Sequence, residues 1–248
     1  MLAVTVKNIC IGTGMPKICV PVTGTDEQQI LAQLDALQKT PADLAEWRAD
    51  YCRDIHDPEK TVRLLRQIQE RTPDLPVLFT ARTEAEGGLF RLPPERYAQN
   101  LEQVICSSAA DMIDIELSSP ASAHLLSLAQ AHHVKTVISF HDFRKTPAED
   151  RLLELFSQME QTGADILKIA VMPHNESDAE TMIRAVQKMH GKTDRPLIGI
   201  SMGEYGIRTR TECERIGSAI TFASAGQASA PGQMDVFRLH EILRELHQ

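Results

Sequence analysis

The chain has 248 residues, 42% of them hydrophobic, which suits one α/β barrel domain spanning residues 1–248. The formal net charge is -8, with 34 acidic against 26 basic residues and no run of Lys and Arg, so binding to nucleic acid or anionic lipid is not expected. Five scattered cysteines without a C-x-x-C pair, and no apolar stretch of signal-peptide or membrane-spanning length, favour a cytoplasmic protein whose partner is a small molecule.

Short apolar runs rich in β-branched residues alternate with longer segments of helical period. The leader AVTVKNICIG alternates in polarity and predicts a small hairpin that covers the floor of a barrel. Eight strands are then predicted, in chain order at Lys17–Val22, Asp43–Arg48, Pro76–Arg82, Asp111–Leu117, Val134–His141, Asp165–Val171, Pro196–Met202 and Ala219–Ala223. Strand-helix alternation of this kind predicts an α/β fold, a (β/α)8 TIM barrel with an N-terminal β-hairpin; an open doubly wound sheet is the alternative.

Charged residues close nearly every predicted strand. In a TIM barrel the active site lies at the carboxyl ends of the strands, so these residues are the candidates for function. They are Glu46 and Arg48 with Trp47 between them, Arg82, Glu86, Glu116, His141, Asp142, Lys168 and Arg210. We expect them to converge in a ring of charges at the barrel mouth.

Lys168 lies in the segment ADILKIAVMP, which is otherwise apolar except for Asp165. A lysine in such a strand must reach the barrel mouth as a cation or exist as a neutral amine. Burial, with the positive charges of Arg48, Arg82 and Arg210 nearby, is expected to favour the neutral amine, which attacks a carbonyl carbon to give an imine. An ion-paired structural lysine is equally compatible with the position alone.

His141 ends the segment VISFHDF, one strand before Lys168, and lies beside it if the barrel strands follow in sequence. An imidazole that titrates near neutrality suits a reaction that needs both proton removal and proton donation. Glu86 is expected to orient this ring as a carboxylate does in acid-base pairs. A core histidine bound to a backbone carbonyl is the structural alternative.

The arginines indicate an anionic substrate, because a guanidinium group matches a carboxylate with two parallel hydrogen bonds. Arg210 is the first candidate for this contact. Glu46 and Arg48 lie two residues apart and share one face of their strand, where ligand binding and a salt bridge are equally compatible with the spacing. No dinucleotide fingerprint or paired-cysteine motif is present, so neither a cofactor nor a metal is expected.

Several segments together carry a family resemblance. They are EWR at Glu46–Arg48, Arg82 with the EGG that follows it, SFHDF around His141, LKIAVMP around Lys168, SMG from Ser201, and ASAPGQ at Ala228–Gln233. In this order along the whole chain they closely resemble the type I 3-dehydroquinate dehydratases. The resemblance implies a barrel enzyme, commonly a homodimer, that removes water from the small carboxylate 3-dehydroquinate to give 3-dehydroshikimate without a cofactor.

The resemblance also implies roles for individual residues. Lys168 is expected to form an imine with the substrate ketone, His141 to transfer the protons and Glu86 to position His141. The expected substrate-binding set comprises Glu46, Trp47, Arg48, Arg82, Arg210, Ser229 and Gln233. The small, Gly-containing segment Ser224–Gly232 is expected to act as a movable lid.

Three positions depart from the family pattern. Pro21 stands where many members have a serine, Ala81 replaces an aromatic residue and is expected to enlarge the pocket, and Ala223 replaces a glycine near the lid. Arg208 is the alternative to Arg210 as the carboxylate contact. The competing functions are another imine-forming, aldolase-type barrel enzyme and a non-catalytic ligand-binding relative. The implied reaction serves either shikimate-pathway biosynthesis of aromatic amino acids or quinate breakdown.

Overall fold

A small antiparallel hairpin precedes the barrel. The computed structural model describes residues 2–91, 93–226 and 229–247. The hairpin strands are β1 (Val4–Val6) and β2 (Ile9–Ile11), with Val4 paired to Ile11. Lys7 in the connecting turn has a positive φ of 50°. The hairpin expected from the alternating leader is therefore confirmed.

Eight further strands form one parallel sheet whose spatial order follows the chain. They are β3 (Lys17–Val22), β4 (Leu44–Arg48), β5 (Val77–Thr80), β6 (Met112–Glu116), β7 (Lys135–Asp142), β8 (Ile166–Val171), β9 (Leu197–Ser201) and β10 (Ile220–Phe222). β10 pairs with β3, and Ala219 donates its N–H to the Leu197 carbonyl oxygen at 2.7 Å beside β9, so the barrel nearly closes. Every predicted strand is present, with ends within two residues of the prediction.

Helices follow the strands and surround the sheet. They are α1 (Glu27–Leu37), α2 (Pro58–Arg71), α3 (Pro94–Cys106), α4 (Ser122–Ala131), α5 (Glu149–Gln161), α6 (Glu176–His190), α7 (Ile207–Thr211), α8 (Cys213–Ile216) and α9 (Val236–Leu246). Side-chain caps fix several first turns, as where Asp26 accepts the Gln29 N–H at 3.0 Å. Over the described ranges, no helix has the length and apolar character needed to cross a membrane.

The core has two layers because successive strand side chains point to opposite faces of the sheet. The outer layer packs the strands against the helices, and the inner layer fills the lower barrel with residues such as Leu78 and Met112. Val4 and Val6 of the hairpin belong to this inner cluster. The hairpin thus covers the amino-terminal floor, as expected, and the polar residues gather at the opposite end.

Candidate active site

A small cavity of about 50 Å³ opens at the carboxyl ends of the barrel strands. Its polar lining consists of Glu46, Arg48, Arg82, Glu86, His141, Lys168, Arg210, Ser229 and Gln233. Its apolar lining consists of Phe143, Ala170, Ile200, Met202, Phe222 and Ala230. The fold therefore brings together all the expected catalytic and substrate-binding residues except Trp47. Two other charged residues expected at the barrel mouth do not line the cavity: Glu116 pairs with Arg82, and Asp142 accepts the Arg144 backbone N–H at 2.8 Å.

Trp47 lies on the other face of β4. Because side chains alternate along a strand, the inward positions of Glu46 and Arg48 turn the indole outward. The ring is 1% exposed and packs edge-on against Phe79, with ring centroids 5.4 Å apart. Trp47 is therefore part of the outer core, and the expectation that it contacts substrate is wrong.

Ala81, like Trp47, faces outward from the barrel. It precedes the inward-facing Arg82 and is buried in the outer core between sheet and helices. A small residue there leaves space in that layer and not in the cavity. The expectation that Ala81 enlarges the pocket is therefore corrected.

Lys168 is held in the middle of β8 with its amine inside the cavity. The residue is 4% exposed, and Nζ lies 4.5 Å from the centroid of the Phe222 ring. The charged atoms that pair with it are carboxylate oxygens, Glu46 Oε1 at 3.6 Å and Asp114 Oδ2 at 3.7 Å. Arginines were the neighbours expected around this amine from the sequence, whereas the fold surrounds it first with acids.

Asp114 was not identified from the sequence and lies at the centre of the buried charges. Its Oδ1 pairs with Arg82 Nη2 at 2.7 Å and accepts the Ser139 hydroxyl at 2.6 Å. Burial alone would raise the pKa of Asp114, but the charges of Arg82 and Lys168 outweigh it and hold the pKa below its ordinary value. The sequence did contain an indication of this position. Asp114 precedes the inward-facing Glu116 by two residues, so both side chains lie on the same face of the strand.

Arg82 is anchored by acids on its neighbouring strand. In addition to its pair with Asp114, its Nη1 lies 3.0 Å from Glu116 Oε1 and donates to the Ser139 hydroxyl at 3.0 Å. Thr83 in turn donates its backbone N–H to Glu116 Oε1 at 2.9 Å. Arg82 therefore reaches the cavity from a fixed position.

Arg48 forms a salt bridge, but not with Glu46. Its Nε and Nη2 donate to the two oxygens of Asp50, each at 2.8 Å. Asp50 also accepts the Leu89 backbone N–H at 3.1 Å. Glu46 and Arg48 both line the cavity, and each also forms an ion pair, Glu46 with Lys168 and Arg48 with Asp50.

Glu86 and His141 form a direct pair. Glu86 lies on a short 3-10 turn after β5, and its Oε2 is 3.0 Å from His141 Nδ1 at the end of β7. The Ser118 hydroxyl, from the loop after β6, donates to Glu86 Oε1 at 2.6 Å. The expectation that Glu86 orients the ring agrees with this geometry, and Ser118 is a neighbour that the sequence did not indicate.

Both members of this pair have shifted pKa values. Burial raises the pKa of Glu86 to about 7 despite the opposing charge of Arg82. Burial, followed by the positive charges of Arg82, Lys168 and Arg48, lowers the pKa of His141 well below its ordinary value. Near neutral pH the imidazole is therefore uncharged and able to accept a proton.

Arg210 is a buried cation at the edge of the cavity. It is 1% exposed, and its two Nη atoms donate only to carbonyl oxygens, of Phe222 at 3.3 Å and Pro231 at 3.2 Å. Within the described part of the chain no carboxylate pairs with it and its Nε has no hydrogen-bond partner. Burial lowers its pKa to about 10, which still leaves it charged near neutrality. A buried cation with a free hydrogen-bond donor has the charge and geometry that suit an anionic ligand.

Arg208, the alternative to Arg210, points away from the cavity. Its side chain is 53% exposed and pairs with Glu180 and Glu212. Already neutralised at the surface, it has neither the position nor the free charge to bind an anion in the barrel. The geometry therefore favours Arg210.

Most of the expected lid segment lies within the described residues. Ser229 donates its backbone N–H to Gln233 Oε1 at 2.8 Å, and both side chains line the cavity. Pro231 accepts the Gly203 N–H at 3.1 Å, which ties this segment to the loop after β9. Gln227 and Ala228 of the lid segment, the second of which begins the ASAPGQ motif, lie outside the described residues.

Comparison with known proteins agrees with this geometry. The type I 3-dehydroquinase family model matches residues 18–248. The chain belongs to this family. A 3-dehydroquinate dehydratase of Bacillus licheniformis is 40% identical over 248 residues, covering 99% of this chain and 98% of the relative. Another from Listeria welshimeri is 38% identical over 250 residues, covering 100% and 99% of the two chains.

Solved structures of the type I 3-dehydroquinase family share the architecture. The type I 3-dehydroquinate dehydratase of Clostridium difficile, solved with covalently modified comenic acid, superposes with a TM-score of 0.95. It is 35% identical, and the match covers 99% of this chain and 98% of that one. The fold and the family assignment suggested by the sequence motifs are therefore confirmed.

Proposed function

We propose that this type I 3-dehydroquinase converts 3-dehydroquinate to 3-dehydroshikimate, as part of the shikimate pathway, through an imine on Lys168. One observation carries the proposal: a single cavity holds a buried lysine amine and, at its edge, the cation Arg210, which has no acidic partner among the described residues. A keto acid has a ketone that can react with the lysine amine and a carboxylate that can bind the arginine. The names of the relatives supply the particular keto acid.

Imine formation provides the electron sink for the reaction. The neutral Lys168 amine attacks the substrate ketone, and the carbinolamine that results loses its hydroxyl as water. The positively charged imine makes the neighbouring carbon-bound proton more acidic. His141 removes that proton and then delivers it to the departing hydroxyl group, so that both transfers occur on one face of the ring.

Glu86 holds His141 in the form that this step needs. A carboxylate accepts a hydrogen bond from Nδ1–H and leaves Nε2 without a proton, ready to act as a base. The same ring, once protonated, supplies the proton that releases water. A second water molecule then hydrolyses the product imine and restores Lys168.

The remaining lining residues bind and enclose the substrate. Arg210 holds the carboxylate, while Glu46, Arg48 and Arg82 contact the hydroxyl-bearing side of the ring. Ser229 and Gln233 close over the ligand with the lid segment and exclude bulk water until the imine is hydrolysed. Most of the charged side chains that line the cavity are held by ion pairs or hydrogen bonds within the protein. The substrate hydroxyls therefore bind to side chains whose positions are already fixed.

Chemical trapping tests the proposal. We expect incubation with 3-dehydroquinate and borohydride to leave a reduced covalent adduct on Lys168, located by mass spectrometry. Lys168→Met should form no adduct and have no dehydratase activity. Lys188→Met, which removes an exposed lysine paired with Glu149, is the matched control and should behave as the unaltered protein. An unmodified Lys168 under turnover conditions contradicts the mechanism.

We further propose that residues 1–248 act as one domain, as a cytoplasmic homodimer that needs no cofactor. Family membership supports the dimer and the cofactor-independent chemistry. The five cysteines are all unpaired, which favours a reducing compartment. Light scattering on the purified protein should give twice the mass of one chain, and dialysis against a chelator should leave turnover unchanged.

A further inference from the structure

One oxygen of Asp114 is buried without a hydrogen bond. The residue is 2% exposed, and Oδ2 accepts no hydrogen bond from the residues that the structure describes. Buried polar atoms are nearly always paired, so an exception at a reactive centre calls for a functional reason. The cationic atom that faces this oxygen is Lys168 Nζ, at 3.7 Å.

The other carboxylate near Lys168 is differently engaged. Glu46 Oε1, at 3.6 Å from Nζ, already accepts the Thr80 hydroxyl at 3.0 Å. Asp114 is instead anchored through Oδ1, which is held by Ser139 and Arg82. This leaves Oδ2 fixed in place, directed at the amine and free to accept a hydrogen bond.

We propose that Asp114 is the counterion of the Lys168 imine, with Oδ2 accepting the hydrogen bond of the imine N–H. The inference rests on the proposed function, since it needs an imine on Lys168. Asp114 touches the reacting nitrogen and not the substrate ring. Its role is to keep the imine in its charged form while the carbon-bound proton leaves.

The stoichiometry shows where this charge arises. A neutral primary amine and a ketone, with one proton taken up from solvent through His141, give an iminium ion and water. The nitrogen of that ion keeps its hydrogen throughout, whereas its positive charge is neutralised when the carbon-bound proton leaves to give an enamine and returns when the hydroxyl group is expelled. A nitrogen that loses its own proton becomes a neutral imine, which is a much weaker electron sink.

Several charged and titratable groups bear on this nitrogen. Glu46 on β4 and Asp114 on β6 are the facing acids, Cys19 on β3 lies within electrostatic range, and His141 on β7 is kept neutral by burial. Arg82, beyond Asp114, holds that carboxylate in its charged form. Because an adjacent anion favours a cation, the iminium retains its proton to higher pH with Asp114 than without it.

The test is a titration of the imine in Asp114→Asn. Mixing protein with 3-dehydroshikimate gives a conjugated imine, whose near-ultraviolet absorbance shifts when the nitrogen loses its proton. We expect the substitution to lower the pH of this transition by about one unit or more, equivalent to a tenfold change in proton affinity. The alkaline limb of kcat should move to lower pH by the same amount.

Two further variants make the test specific. Glu46→Gln should move the imine transition less than Asp114→Asn does, because Glu46 Oε1 already accepts a hydrogen bond from Thr80. Ser139→Ala removes one of the two groups that hold Oδ1 and leaves Arg82 in place, so it should give a smaller shift of the same sign. This variant serves as the test if thermal melting shows that Asp114→Asn is unfolded.

The outcomes separate the two proposals. Absence of any adduct in the unaltered protein overturns the proposed function itself. A normal adduct whose transition is the same in Asp114→Asn overturns only the counterion role, as does a larger shift in Glu46→Gln. If Asp114→Asn is unfolded, the lack of a shift in Ser139→Ala has the same meaning.

Discussion

Glu86 Oε2 accepts the backbone N–H of His141 at 3.1 Å and lies 3.0 Å from Nδ1 of the same residue. One carboxylate oxygen therefore fixes both the main chain and the ring of His141. The ring cannot rotate away without losing a contact that the backbone keeps in place. The acidity of Glu86 is thus expected to control how well His141 works.

The first prediction concerns the pH dependence of the reaction. Burial raises the pKa of Glu86 to about 7, so this carboxylate gains a proton as the pH falls through that value. A protonated Glu86 no longer stabilises Nδ1–H, and kcat/KM is expected to fall on the acid side of pH 7. Because glutamine cannot titrate, Glu86→Gln should have lower activity but lack this limb in a pH profile from 5 to 9.

Glu84→Gln is the control for this profile. Glu84 lies on the same turn, is largely exposed and pairs with Arg91 at 3.1 Å. It should retain the acid limb of the unaltered protein. An acid limb that persists unchanged in Glu86→Gln would assign it to another group.

The second prediction separates imine formation from proton transfer. His141→Ala should lower turnover by about 100-fold or more, the usual contribution of a positioned general acid-base group. Slow accumulation of the Lys168 adduct should still be detected after borohydride reduction. His124→Ala changes a histidine that is 62% exposed on α4 and should leave both rates intact. Near-normal turnover in His141→Ala would reassign the proton transfer.

The third prediction compares the two arginines of α7. Arg210→Lys keeps the charge but removes the two-pronged contact, and the loss of about 2 kcal/mol should raise KM about 30-fold. Arg208→Lys should leave KM unchanged, because that side chain lies at the surface in pairs with Glu180 and Glu212. Steady-state kinetics on both variants measure the difference, and equal effects would contradict the assignment of Arg210.

The fourth prediction concerns Trp47. Since its ring packs against Phe79 in the outer core, Trp47→Phe should lower the free energy of unfolding by about 2 kcal/mol. KM for the substrate should stay within about twofold of its original value. Urea unfolding and steady-state kinetics test the two halves separately. A rise in KM without a loss of stability would indicate that Trp47 contacts the substrate.

The pattern of polar residues at strand ends predicted much of the site. Glu46, His141 and Lys168 were identified because each interrupts or ends an apolar run, and the ordered barrel brings such positions to one mouth. Trp47 was misplaced because a motif was carried over as a block, although adjacent strand residues point to opposite faces. Asp114 was missed because only the last charged residue of its strand, Glu116, was considered, although the spacing of two residues places both on one face.

The sequence by itself determined the barrel, its hairpin floor and the family, because these depend on periodicity along the chain and on ordered motifs. Only the tertiary structure decided which charges meet. Lys168 faces Glu46 and Asp114, and Arg210 lacks an acidic partner among the described residues. Such pairings join residues far apart in the chain, and their energies depend on burial and on separations of a few ångströms, neither of which is encoded in local sequence.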